Sequence, residues 1–256
     1  MRLSIGHPAW LSVSLYRPLL YRRAYRDEPN CLREARQLAL ADLVVYADAC
    51  HHGQFKGIGV FCPNRFWAFI DVSRLTHYMD YSGTPVPMHI NVLEFLAALF
   101  AVLIAVVHQG PEWVRGRHVH VRSDNMSALA WLRRQRDSSP LHSSLLLLFS
   151  LLQVRFGFHL TEGFQPGVTN VYADAASRQF RVDSGPQLLS AMHPASLFSA
   201  PPTWLEDLHA ICLQSSASPS ALCRAAVTLL GTATGSPSVP LSDVAPPNLL
   251  APPPMC

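Results

Sequence analysis

The stretch that decides the fold is LVVYADACHHGQFKGIGV, residues 43–60. It opens with an apolar run, Leu43 to Ala47, which is rich in β-branched residues and ends at a single acid, Asp48. A polar turn around His51 and Gly53 leads into a second apolar run. β-branched and aromatic residues favour strands, whereas glycine among polar residues favours turns. The pattern therefore predicts a hairpin that presents the carboxylate of Asp48 at the end of its first strand.

The rest of the chain, taken in order, alternates between strand-like and helix-like stretches. Alternating or continuous apolar runs predict strands at Leu43–Cys50, Gly57–Cys62, Phe66–Val72, His118–Asp124 and Phe158–Phe164. Apolar periodicity and capping residues predict helices at Asn91–His108, Asn125–Arg136, Pro140–Phe156 and Asn170–Arg178, with a loop over 73–89. A meander followed by strand–helix crossovers is typical of an α/β domain. We therefore expect a mixed five-stranded sheet flanked by helices.

Composition shifts divide the chain into three parts. Residues 1–40 are arginine-rich and irregular apart from a short helix predicted at Leu32–Leu40, and they suit a basic leader or the remnant of a preceding domain. Residues 41–180 hold the α/β pattern. In residues 181–256 proline, serine and alanine accumulate, which predicts a partly disordered tail with short helices at Thr203–Leu213 and Pro219–Leu230.

The totals indicate an intracellular protein with a sizeable core. Half of the residues are hydrophobic (49%), and the formal charge of +3 neither requires nor excludes nucleic acid. Six cysteines without a CxxC pair are typical of free thiols in a reducing compartment. The N-terminal segment lacks a signal-peptide pattern. The apolar runs Val92–Val107 and Leu145–Leu152 are shorter than a membrane span, so we expect buried core helices and no membrane partner.

Four acids stand out: Asp48, Glu94, Asp124 and Asp174. Each also has a simpler interpretation, because Asp48 would suit a turn and Asp174 the surface of a short helix. Glu94 lies three residues after Asn91, the spacing of a capping box, and Asp124 could cap the next helix. Together these interpretations are weaker, since Glu94 is the only charge between Val92 and Val107 and a buried carboxylate needs compensation. Several carboxylates at one sheet edge repel one another, and Mg²⁺ or Mn²⁺ relieves that repulsion.

Four pieces of the sequence resemble the ribonuclease H superfamily, and in particular the ribonuclease H domain of DIRS-type retroelements. The pieces are VVYADAC with GIGV, INVLEFLAALFAV, HVHVRSDNMSALAWL and GVTNVYADAASR. They resemble the family's first-strand Asp, first-helix Glu, fourth-strand Asp–Asn pair and closing N-x-x-A-D-x-x-S-R. The resemblance covers about residues 41–180 and implies a ribonuclease H-like fold.

The resemblance implies a role for each matched residue. Asp48 would bridge two Mg²⁺ or Mn²⁺ ions, Glu94 and Asp124 would complete the coordination, and Asp174 would hold the second ion more loosely. Asn125, beside Asp124, would contact the nucleic-acid strand, and Ser123 is a further candidate contact. The family's longer basic protrusion is absent, and Arg133 and Arg134 in its place suit either a reduced basic patch or a solvated helix end. The implied activity is cleavage of the RNA strand of an RNA–DNA hybrid, beside a reverse transcriptase domain in the intact element.

Some features depart from the family, and other functions stay open. The loop Phe164–Gly167 lacks the histidine that many relatives carry there, and no polymerase site is present because alanine follows both Asp48 and Asp174. The first alternative is a non-catalytic nucleic-acid-binding module. The second is a DNA nuclease or exonuclease of the same superfamily.

Two further groups of residues have metal-ligand types without supporting spacing. The zinc-type residues Cys50, His51, His52 and Cys62 lack finger spacing. His118 and His120 share one face of a strand and are interpreted as a polar surface.

Overall fold

The computed structural model describes residues 37–134, 139–179 and 195–213. The strands are β1 Leu43–His52, β2 Phe55–Cys62, β3 Phe66–Asp71, β4 His77–Met79, β5 Pro85–Pro87, β6 His118–Ser123, β7 His159–Phe164 and β8 Ser196–Leu197. The α-helices are α1 Ile90–Gln109, α2 Pro111–Val114, α3 Met126–Arg134, α4 Pro140–Phe156, α5 Val171–Ser177 and α6 Pro202–Cys212, and Gly167–Thr169 forms a 3₁₀ turn. Most of the predicted leader, the predicted helix Pro219–Leu230 and the end of the tail lie outside the described residues.

The main sheet has the order β7-β6-β1-β2-β3-β8. β1, β2 and β3 form the antiparallel meander, whereas β6 joins β1 in parallel and β7 joins β6 in parallel. The predicted fold class, a mixed α/β sheet flanked by helices, is confirmed. The sheet has one strand more than predicted, because the two-residue β8 adds to the edge of β3. The predicted loop 73–89 also contains the small hairpin β4–β5.

The hairpin of β1 and β2 is longer than its sequence pattern predicts. β1 does not end at Asp48 but continues to His52, which pairs with Phe55 across a two-residue turn. Gly53 adopts a positive φ of 60°, the conformation that such tight hairpin turns need. His51 and His52 therefore belong to the strand, and Asp48 lies within β1 opposite Gly59.

Helix α1 is the centre of the hydrophobic core. By length and composition it would be able to cross a membrane, but every residue from Val92 to Val106 is buried inside this fold. It packs on β1, β2 and β6 and is covered by α3 and α4. The prediction of a buried core helix is confirmed.

Helix α5 lies on the opposite face of the sheet. A Cβ on Gly59 of β2 would come within 2.1 Å of the carbonyl oxygen of Ala173 and 2.3 Å of the amide nitrogen of Ser177. Only glycine allows the backbone of α5 to approach β2 this closely. Ala173 and Ala176 pack there with Phe61 in a second, smaller apolar cluster. This close packing brings the polar residues of α5 to the middle of β1.

The core also includes residues beyond the predicted domain boundary at 180. Trp204 and Leu208 of α6 are fully buried in the main core, and Ser196 of β8 pairs with Phe66. The helix predicted at Thr203–Leu213 is α6. Residues 195–213 thus pack with the domain rather than forming part of a separate tail, and the composition shift did not mark this because proline-rich segments can still carry buried aromatic residues.

Candidate metal centre

Strand pairing brings two of the predicted acids together. β1 and β6 run in parallel, with Tyr46 opposite Arg122. Asp48 follows Tyr46 by two residues in β1, and Asp124 follows Arg122 by two residues at the end of β6, so the two acids lie side by side. α1 adds Glu94 from the core side, and one carboxylate oxygen from each of the three acids lies within 4.8 Å of the others. We call Asp48, Glu94 and Asp124 the carboxylate cluster.

Asp48 is held in the interior of the cluster. Its side chain is 4% exposed, and the hydroxyl of Ser177 donates a hydrogen bond of 2.7 Å to its Oδ2. Burial raises the pKa of Asp48 to about 7, helped by the charges of Asp174 and Asp124 and opposed by the Ser177 hydrogen bond. The protein alone therefore stabilises the ionised form of this carboxylate poorly.

Glu94 is equally buried and is not a capping residue. α1 begins at Ile90 with His89 as its N-cap, so Glu94 lies in the second turn, beyond the reach of a capping box. Burial, followed by the charges of Asp48 and Asp124, raises the pKa of Glu94 to about 9. Two donors orient it, the backbone amide of Ala49 and, at 3.3 Å, the hydroxyl of Ser123.

Asp124 completes the cluster from the end of β6. It does not cap α3, because the Oδ1 of Asn125 accepts the hydrogen bond from the amide of Ala128 at 3.0 Å. Burial is the main cause of its raised pKa, and the charge of Asp174 adds to it. Its Oδ2 packs against Gly167, where a Cβ would lie only 2.8 Å away. The glycine in this loop leaves room for the carboxylate.

Asp174 lies at the rim rather than in the cluster. Its side chain on α5 is 40% exposed and forms an ion pair of 2.6 Å with Arg178, one turn further along. It is close enough for its charge to raise the pKa of both Asp48 and Asp124. The structure thus brings three of the four predicted acids together and places the fourth beside them.

The predicted nucleic-acid contacts are mostly engaged within the protein. Ser123, which was expected to contact nucleic acid, is fully buried in the structure, and its hydroxyl donates to Glu94. The side-chain amide of Asn125 donates a hydrogen bond of 2.9 Å from its Nδ2 to the Oδ1 of Asn91. Arg133 forms an ion pair of 2.9 Å with Glu162 of β7. The side chain of Arg134 lies outside the described residues.

Two residues of the closing motif have roles that the sequence argument did not assign. Ser177 orients Asp48, and Arg178 neutralises Asp174. Both belong to the quoted ADAASR piece, and the four-residue spacing of Asp174 and Arg178 on a helix is a visible signal for an ion pair. The contact of Ser177 with Asp48 spans 129 positions and has no local signal.

The donor set of the cluster fits a hard divalent cation. All its ligand atoms are carboxylate oxygens, which suit Mg²⁺ and Mn²⁺. Within residues 37–134, 139–179 and 195–213, this is the one group of three metal-ligating side chains with such spacing. The zinc-type residues do not assemble, because Cys50 is buried with its thiol donating to the Ser177 carbonyl, while His51 and His52 are exposed.

His118 and His120 were expected to form a polar surface, but both are buried. His118 Nε2 and His120 Nδ1 lie 2.5 Å and 2.7 Å from the hydroxyl oxygen of Thr161 on β7. The two side chains share a face of β6, as predicted, and that face is covered.

Comparison with known proteins gives likenesses in solved structures only. No family model matches the chain, and no curated protein matches it. LC11-RNase H1 in complex with an RNA/DNA hybrid superposes with a TM-score of 0.42 at 16% identity, covering 54% of this chain and 95% of that one. LC11-RNase H1 isolated from compost by a metagenomic approach superposes with a TM-score of 0.41 at 16% identity, covering 54% of this chain and 93% of that one. RNase H1 from the halophilic archaeon Halobacterium salinarum NRC-1 superposes with a TM-score of 0.38 at 16% identity, covering 54% of this chain and 98% of that one.

Proposed function

We propose that this chain is a metal-dependent nuclease domain that hydrolyses the RNA strand of RNA–DNA hybrids. The observation that carries the proposal is the carboxylate cluster, whose three ligand oxygens lie within 4.8 Å of one another on β1, α1 and β6. Burial of like charges at this spacing is unfavourable for a protein without a compensating cation. Such arrangements are typical of sites where divalent ions act on phosphodiesters.

Each residue contributes a separate part of the site. Asp48, Glu94 and Asp124 would hold Mg²⁺ or Mn²⁺, with Asp174 reaching a second ion from the rim once it leaves Arg178. Two bound ions supply an activated water and stabilise the leaving oxygen of the phosphodiester. The Ser177 hydroxyl fixes the orientation of Asp48, which lowers the cost of ordering this carboxylate when an ion binds.

The substrate and biological context are proposed from the sequence motifs. The Asp124–Asn125 pair and the N-x-x-A-D ending favour the ribonuclease H branch over DNA nucleases, and hybrids would be distinguished by their 2′-hydroxyl groups. We further propose a retroelement origin, an intracellular location and a reverse transcriptase domain as partner. The origin and the partner rest on the resemblance to DIRS-type elements, and the location rests on six cysteines without a CxxC pair.

The test is cleavage of an end-labelled RNA–DNA hybrid by the full chain in Mg²⁺, Mn²⁺ or EDTA. We expect cutting of the RNA strand alone, in either metal and not in EDTA. Asp124→Asn should abolish cutting while circular dichroism shows an unchanged fold, because it removes a ligand from the end of a strand. Glu112→Gln is the matched control, since it neutralises an acid whose side chain is 82% exposed on α2.

Two outcomes would redirect the proposal. A folded chain that cuts no substrate, and gives no carboxylate-dependent heat when titrated with Mg²⁺ or Mn²⁺, would be a non-catalytic module. Faster cutting of duplex or single-stranded DNA than of hybrid would indicate the DNA nuclease alternative.

A further inference from the structure

Beside the carboxylate cluster, on the face of the sheet that α5 covers, lies a pocket of about 160 Å³ that the proposed chemistry does not use. It is lined by Tyr46, Phe61 and Tyr172, with Gln165, Thr169 and Asn170 as its polar wall. Tyr46 precedes Asp48 by two positions in β1, so both side chains point to the same face of the sheet. The pocket is therefore adjacent to the proposed reaction site.

The pocket is walled by aromatic rings. The ring centroids of Phe61 and Tyr172 lie 4.6 Å apart with an angle of 32° between the planes, and those of Tyr46 and Phe61 lie 6.3 Å apart. The side chains named as its lining carry no formal charge. An uncharged, ring-lined space of this size is too small for most drug-sized ligands and suits one flat heterocycle.

The polar wall offers an unused acceptor. Asn170 is 1% exposed, and its Nδ2 donates to the carbonyl of Ala47 at 3.1 Å, which fixes the orientation of the amide. Its Oδ1 is buried and has no hydrogen-bond partner among the described residues. A buried acceptor left in this state costs free energy, so a ligand that donates a hydrogen bond to it would be stabilised.

The surroundings of the pocket suit a nucleic-acid strand. The chain next to the polar wall is apolar at the protein surface, because Val168, which precedes Thr169, is 84% exposed and Val171, which follows Asn170, is 40% exposed. Arg122, opposite Tyr46 in the neighbouring strand, adds a partly buried cation at the same level of the sheet, and its Nη2 donates to the carbonyl of Phe164. Bases stack on aromatic side chains and phosphates pair with arginine.

We propose that this pocket binds one unstacked nucleobase with an exocyclic amine, next to the position of cleavage. The base stacks on the ring of Tyr172, whose other side packs against Phe61, and its amine donates to Asn170. This inference rests on the proposed function, since it names how the same site holds its substrate. It implies that the chain prefers hybrids with an unpaired nucleotide or a single-stranded extension near the cut.

The test uses the full chain in EDTA, so that no strand is cut, and hybrids with a single-stranded extension. 2-Aminopurine, a fluorescent base with an exocyclic amine, replaces one base at a time along the strand. We expect its emission to fall at one position only. An abasic site at that position should weaken binding about five- to 150-fold, the range that stacking of one base accounts for.

Variants of one tyrosine separate this pocket from general binding. Tyr172→Ala should remove both the fall in emission and the sensitivity to the abasic site, whereas Tyr172→Phe keeps the ring and should retain them. Tyr81→Ala is the matched control, because it removes a more exposed tyrosine that contacts Ser143 of α4 on the other face of the sheet.

The outcomes distinguish the pocket from the nuclease. Unchanged emission at every position, or an equal effect of Tyr81→Ala and Tyr172→Ala, would overturn the pocket even if the chain cuts hybrids in Mg²⁺. A position-specific fall that depends on Tyr172 would support the pocket even if no cutting is found.

Discussion

Strand β6 carries a buried polar cluster at each of its ends, and the two clusters satisfy their polar groups differently. At its start, His118 and His120 share the hydroxyl of Thr161. At its end, Asp124 joins the carboxylate cluster. Burial opposes charge at both ends, because it lowers the pKa of His120 to about 3 and raises the pKa of Asp48 to about 7.

The chemistry of the two clusters explains the contrast. A hydroxyl can donate to one imidazole nitrogen and accept from another, so the histidine cluster can be satisfied by neutral protein groups. Ionised carboxylates are acceptors only, and three of them cannot satisfy one another. The histidine end of β6 therefore stabilises the fold, whereas in the proposed function the carboxylate end is completed by a cation from outside the protein.

The largest expected effect comes from removing a charge in the carboxylate cluster. Asp48→Asn should lower the rate of hybrid cleavage by about a thousandfold or more, since metal ions contribute several kcal/mol to such reactions. In EDTA the same variant should be at least as stable as the unmodified chain, because a neutral amide is cheaper to bury and its oxygen can still accept from Ser177. Hybrid cleavage and urea unfolding measure the two effects. A variant that loses activity because it unfolds would contradict the contrast between the clusters.

A smaller effect is expected from the hydroxyl that orients Asp48. Ser177→Ala should weaken Mg²⁺ binding or cleavage by about 10- to 100-fold, the range typical of residues that orient a metal ligand. Calorimetric titration of Mg²⁺ and cleavage rates at several Mg²⁺ concentrations would measure it.

Ser150→Ala is the control for that prediction, because among the described residues the Ser150 hydroxyl bonds to the carbonyl of Leu146 within its own helix α4. If both variants bind Mg²⁺ equally, the hydrogen bond to Asp48 has no role in positioning the ligand.

The sequence predicted the parts of this contrast that depend on local pattern. Five strands, the buried helix α1 and the acids of the carboxylate cluster follow from periodicity and from an isolated charge in an apolar helix. The extension of β1 to His52 was missed because the polar residues His51 and His52 suggested a longer turn. In the structure the turn has two residues, and pairing with β2 keeps His51 and His52 in the strand.

Local sequence pattern does not predict contacts between segments that are far apart in the chain. The burial of His118 and His120 depends on their neighbours across the sheet, and a strand with alternating histidines looks the same whether its face is covered or exposed. The same holds for Trp204, which joins the core from a segment whose composition resembles a linker. The four-residue spacing of Asp174 and Arg178 does predict their ion pair. That this pair holds Asp174 at the rim of the carboxylate cluster becomes clear only when the positions of the other three acids are known.

The smallest expected effect tests the histidine end of β6. Burial, and then the charges of His118 and Arg122, hold the pKa of His120 at about 3, below the value of about 6.5 in an unfolded chain. Because the unfolded state then binds the proton more strongly, the stability contributed by neutral His120 is complete above pH 6.5 and is lost as the pH falls toward 3. Between pH 7 and 5.5 the loss should be about 1 kcal/mol.

Urea unfolding of the chain and of His120→Asn at both pH values isolates this contribution, since the amide of asparagine can bond to Thr161 but does not titrate. The variant should lose about 1 kcal/mol less than the unmodified chain over this interval. His209→Asn, which replaces an exposed histidine on α6, is the matched control. If the free energy of unfolding changes equally with pH in the chain and both variants, His120 takes up its proton as readily in the folded state as in the unfolded one. Both ends of β6, rather than only the carboxylate end, would then bury charge.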